Sequence, residues 1–101
     1  MTEVELKKRT KQFALRVLRL VNALSNTPDG GILGNQFLRS GTAVGVNYRA
    51  AFRGRSRAGF LAKLGSVEEE ADESAYWREL IIEGGRPQLN LNRTATGQAT
   101  W

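Results

Sequence analysis

The chain contains no cysteine and no histidine. Disulfide staples, thiol nucleophiles, histidine bases and zinc sites built on cysteine or histidine are therefore excluded. Aromatic residues make up only 8%. No apolar run approaches the roughly 20 residues needed to span a bilayer. The opening MTEVELKKRTKQF mixes acids and bases before any apolar stretch, which is unlike a secretory leader. These absences lead to the expectation of a cytoplasmic protein with no membrane association. Its 101 residues suit one domain with a modest core.

What is present is positive charge. Fifteen Lys and Arg stand against ten Asp and Glu, giving a net +5 and a pI near 10.2. That balance favours polyanionic partners through phosphate contact and counterion release. The hydrophobic pattern predicts three helices. Over residues 5–25, Leu6, Thr10, Phe13, Val17, Leu20 and Leu24 recur at alternating spacings of four and three, a coiled-coil-like seam. Leu15 and Leu18 lie off that seam, near Lys11 and Asn22. They either widen the core-facing stripe or form a second contact surface between subunits. SNTPDGG, with Pro28, Asp29, Gly30 and Gly31, reads as a turn between antiparallel helices.

The second helix is expected over residues 32–53. Its buried stripe runs through Leu33, Phe37, Ser40, Val44 and Ala51. Gly41 and Gly45, one turn apart, point to close approach of a neighbouring backbone, because an interior helical glycine otherwise costs about 1 kcal/mol. Asn47 reads as a structural hydrogen bonder. In RGRSR, Gly54 ends the second helix and Ser56 caps the third. Arg49, Arg53, Arg55, Arg57 and Lys63 then follow with no acid among them.

The third helix is expected over residues 57–83. Phe60, Leu64, Val67, Ala71, Trp77 and Ile81 mark its buried side, with Leu61, Tyr76, Leu80 and Ile82 flanking. Its middle carries Glu68, Glu69, Glu70, Asp72 and Glu73, which need cations from another helix or subunit. No histidine accompanies these acids, so a di-iron carboxylate site is not expected, and neither a metal nor a cofactor is assigned. The tail from Gly84 onward has no helical period and reads as irregular or disordered. The domain expectation is a helical bundle over 1–85 and a tail over 86–101.

Gln36, Arg39, Val44, Asn47, Arg53, Ser56 and Phe60, followed by LGSVEEEADESAYWRELI, resemble the 23S rRNA-intervening-sequence, or S23-type, family. The accessory variability determinant proteins of diversity-generating retroelements are similar to it. The resemblance covers residues 8–85. It implies an all-α, antiparallel up-down four-helix-type bundle and a homo-oligomer, pentameric in the retroelement members. It also implies RNA or a reverse transcriptase-like nucleoprotein as partner. The chain departs from the family pattern in two places. Asn47 is followed by Tyr48 and Arg49 rather than by a nearby Glu-Gly, and no fourth amphipathic helix follows residue 85.

No enzyme activity is expected. The leading expectation is a basic accessory protein whose Lys7, Lys8, Lys11, Arg49, Arg53, Arg55 and Arg57 contact phosphates. The alternatives are a protein–protein adaptor whose arginines are consumed by the acidic run, or a truncated copy with little function. The discriminating observation is whether Arg39, Arg49 and Arg53 meet those carboxylates or point into solvent.

Overall fold

A computed structural model describes residues 2–24 and 27–84. Among them lie three helices: α1 (Glu3–Ala23), α2 (Pro28–Phe52) and α3 (Arg57–Gly84). The tail reading falls outside the described residues.

Each helix starts where a side chain satisfies otherwise orphaned backbone donors. At α1 the Glu5 amide donates to Thr2 Oγ1 at 3.1 Å, and the Thr2 amide donates to Glu5 Oε1 at 2.9 Å. This reciprocal cap is a capping box. At α2 the Gly30 amide donates to Thr27 Oγ1 at 3.0 Å. Here the structure corrects the sequence expectation. Pro28 to Gly31 are not a turn but the first turn of α2, which begins four residues early. Pro28 occupies the first helical position, where its missing N–H is no loss and its fixed φ suits the helix. At α3 the Gly59 amide donates to Ser56 Oγ at 3.0 Å, as expected of that serine.

The middle helix carries the fold. Both α1 and α3 pack along α2, while α1 and α3 scarcely meet. Contacts pair rising numbers on one helix with falling numbers on the next, so neighbours run antiparallel. A Cβ placed on Gly34 would sit 3.3 Å from Leu24 and Val21, and one on Gly45 would sit 3.3 Å from Thr10. One on Gly41 would lie 2.8 Å from Val17. The glycines thus form the seat of α1, the close approach their spacing predicted.

The core is Val17, Leu20, Phe37 and Ile81, with Phe13, Val21, Leu24, Leu33, Leu38 and Trp77 packed around it. It lies towards the end of the bundle where α1 finishes and α2 begins. At that end Leu24, Ile32, Leu33, Leu80 and Ile81 line an apolar cavity of about 340 Å3. Two fully buried polar groups join α2 to α3: Ser74 Oγ donates to Ser40 Oγ at 3.0 Å. Ser40 in turn donates to the Gln36 carbonyl at 3.0 Å, so neither hydroxyl is stranded.

Three apolar assignments on α3 are corrected. Ala71 is exposed, and Leu61 and Tyr76 are 51% and 54% exposed rather than flanking the core. Only α2 packs along α3, so a helix with two apolar stripes covers one of them. Leu15 and Leu18, at 39% and 41% exposure, are likewise outside the core. The reading of a widened core stripe on α1 does not hold for them. No helix among the described residues is long and apolar enough to cross a membrane.

Candidate nucleic-acid interface

Antiparallel packing brings the start of α1, the end of α2 and the start of α3 to one end of the molecule. All the sequence-predicted contact residues are there. Lys11 and Arg49 line one groove of about 240 Å3 between α1 and α2, with Thr10, Ala14, Thr42, Gly45 and Val46 between them. Arg53, Arg55 and Arg57 follow on the connection to α3.

That connection is held firmly. The Arg53 amide donates to the Ala50 carbonyl and the Gly54 amide to the Ala51 carbonyl, both at 3.1 Å. Beneath them runs an aromatic ladder. Tyr48 meets Phe52 with ring centres 4.9 Å apart, and Phe52 meets Phe60 at 5.3 Å, both edge to face. The arginines therefore project from a fixed corner. Phe52, 38% exposed between Arg49 and Arg53, adds an aromatic surface on which a base can stack. Sequence reasoning did not single it out as a contact residue, although its place among arginines was the available signal.

The charges at this end are mostly uncompensated. Lys8, Lys11, Arg49, Arg53, Arg55 and Arg57 are exposed. None forms an ion pair with a described residue. Lys7 is the exception: its Nζ lies 2.9 Å from Glu3 Oε2, and it is half-buried. The Tyr48 hydroxyl is buried close by, with no hydrogen-bond partner among the described residues. Burial pushes its pKa up, the Glu3 carboxylate adds to the rise, and Lys7 opposes it.

Arg39 stands apart. It bonds to both Glu70 carboxylate oxygens at 3.4 Å and to Glu73. Glu73 also accepts from the Trp77 indole N–H at 3.0 Å. The indole bond, then the Arg39 bond, hold the Glu73 carboxyl below its usual range against a small opposing effect of burial. The three arginines in question thus divide: Arg39 meets the acidic run, while Arg49 and Arg53 face solvent. No group of three or more acidic side chains among the described residues is placed to hold a metal ion.

No protein-family model matches the chain, and no curated protein does. A solved crystal structure does match: a protein with unknown function from the S23 ribosomal protein family of Bacteroides thetaiotaomicron. Identity is 39% and the TM-score 0.74, over 81% of this chain and 73% of that one.

Proposed function

The chain belongs to the S23 ribosomal protein family, and from that premise we propose that it is a non-enzymatic, oligomeric accessory protein that binds RNA through its basic end. The observation carrying this reading is the convergence of Lys8, Lys11, Arg49, Arg53, Arg55 and Arg57 on one end, exposed and without ion pairs among the described residues. Phosphates are recognised by such a cluster through charge and counterion release, not through a shaped catalytic pocket. Lys7 contributes less, because Glu3 already answers its charge. Several copies in one assembly would multiply weak phosphate contacts. The likeness to retroelement accessory proteins extends the partner class to an RNA held by a reverse transcriptase-like protein.

The architecture is read as three helices of four-helix-bundle descent. The solved relative carries about a quarter of its length beyond the matched part, room for one more helix. The adaptor reading draws support from the Arg39 pairing with Glu70 and Glu73. Among the described residues Arg49 and Arg53 lie outside that network, so this reading needs them to meet the acidic run of another subunit.

The test is fluorescence anisotropy of a labelled structured RNA over a range of potassium chloride concentrations. The logarithm of the binding constant should fall linearly with the logarithm of salt. Each arginine of the corner changed to glutamine should reduce that slope by about 0.7–0.9. No binding at low salt, or a flat salt response, would overturn the reading.

A further inference from the structure

The groove between α1 and α2, with the corner beyond it, carries two kinds of surface at once. Lys11 and Arg49 stand on its walls, and between them Ala14, Gly45 and Val46 form a floor without charge. Val46 is 64% exposed. On α2, Val46, Arg49 and Phe52 follow one another at spacings of three, and Arg53 comes four after Arg49. Residues three and four apart share a helix face. An apolar side chain, a cation and an aromatic ring therefore lie in line, over about 9 Å of helix.

Phosphate recognition accounts for the cations alone. A phosphate backbone offers nothing apolar to cover Val46 or Phe52, whereas the face of a nucleobase does. Tyr48 and Phe60 meet Phe52 at 62° and 78° between ring planes. Neither ring lies flat against it, in the place a stacked base takes. The two threonines of the groove have spent their hydroxyl hydrogens within their own helices. Thr10 Oγ1 donates to the Lys7 carbonyl at 3.1 Å, and Thr42 Oγ1 donates to the Leu38 carbonyl at 2.8 Å. Between its charged walls the groove thus presents surface to a base rather than hydroxyl donors to its edge.

We propose that the groove and corner take a single-stranded stretch of RNA, with bases against Phe52 and Val46 and phosphates on Lys11, Arg49 and Arg53. This rests on the RNA-binding reading and names the form of RNA that the basic end selects. In a paired A-form helix the bases are stacked on one another, and the outside presents phosphates, ribose hydroxyls and base edges. Phe52 would then meet polar backbone alone. An unpaired strand turns base faces outward, and stacking on an aromatic ring accepts any base. Charge acts in the opposite sense: a duplex releases more counterions per phosphate contact than a single strand. A preference for the single strand therefore cannot come from the lysines and arginines.

The experiment is fluorescence anisotropy of the full chain at low potassium chloride. Labelled oligo(U), which does not pair with itself, is compared with a fully paired RNA of the same strand length. Oligo(U) should bind tighter by about 5-fold or more, the lower end of what stacking one base contributes. Phe52→Leu keeps apolar bulk between Tyr48 and Phe60 but removes the ring. It should weaken oligo(U) binding by a similar factor and leave duplex affinity unchanged, while Phe52→Trp should keep the wild-type preference. A duplex bound as tightly as oligo(U), or a wild-type preference in Phe52→Leu, would overturn the proposal and leave RNA binding standing. Binding of neither RNA would overturn both. Should Phe52→Leu lose its helical circular dichroism, photocrosslinking of iodouridine-bearing oligo(U) to the wild type replaces it, with the modified residue identified by mass spectrometry. The adduct should fall on Phe52, and adducts confined to other residues would overturn the proposal.

Discussion

Alanine at Gly41 should destabilise the protein although it favours the helix. The intrinsic gain from glycine to alanine within a helix is about 1 kcal/mol. Against it stands the seat of α1. A Cβ on Gly41 would lie 2.8 Å from Val17 Cγ2, 3.0 Å from Cγ1 and 3.2 Å from Cβ. Rotation of the valine does not relieve this, since both methyls and their branch point crowd the same spot. Valine in a helix also strongly prefers one rotamer. Val17 is fully buried, so α1 itself must lift away. Overpacking of this kind costs about 1–3 kcal/mol. Gly65 is the internal control: it is a helical glycine with nothing within 4 Å of its Cβ position. Gly65→Ala should therefore gain about 1 kcal/mol, and the difference between the two variants isolates the overlap at about 1–3 kcal/mol. Urea unfolding followed by circular dichroism measures both. A cycle with Val17→Ala should show strong coupling to Gly41→Ala. Equal stabilisation by both alanines would refute the close approach of α1 to α2.

Three further outcomes follow from the α2–α3 contact and the basic corner. Glu73 has a depressed folded pKa, so the stability it contributes is present above its unfolded pKa and is lost as pH falls through the folded value. Glu73→Gln should flatten that part of the acid limb, and Trp77 emission in a Trp101→Phe background should stop reporting a carboxylate titration. Ser40→Ala leaves the buried Ser74 hydroxyl without its acceptor and should cost about 1–3 kcal/mol, whereas removing both hydroxyls should cost less than the single change; thermal melts decide. Phe52→Ala should loosen the corner where Phe52 bridges Tyr48 and Phe60. It should weaken RNA binding with little change in salt slope, since stacking carries no counterion release; the same anisotropy titration reads it.

Much of the architecture was legible in local spacing. The α1 seam, the α2 stripe, the Ser56 cap and the packing role of Gly41 and Gly45 all depend on periodicity or on one residue's own chemistry. Pro28 to Gly31 misled because breaker residues also start helices. What decides is the hydrogen bond from the Gly30 amide to Thr27, which composition does not display. Ala71, Leu61 and Tyr76 misled for another reason: periodicity says that a face is apolar, not whether anything covers it. The basic residues were legible as a set, but their meeting at one end depends on the antiparallel hairpins, a long-range fact. The division of Arg39 from Arg49 and Arg53 was undecided in the sequence. It turns on α3 laying Glu70 and Glu73 beside the middle of α2 while its basic start lies beside the end of α2.

The glycine seat also fixes where α1 stops along α2. Its three hollows are unevenly spaced, with Gly34 seven residues before Gly41 and Gly45 four after it. Slide α1 one turn towards the end of α2, and Val17 finds the hollow at Gly45 while Val21 and Leu24 run onto Leu38 and Thr10 onto Arg49. Slide it the other way, and Val17 strikes Phe37. An even row of hollows would have fitted several positions equally well. The uneven row behaves like the cuts of a key, admitting one axial setting. That setting holds Lys8 and Lys11 level with the arginine corner.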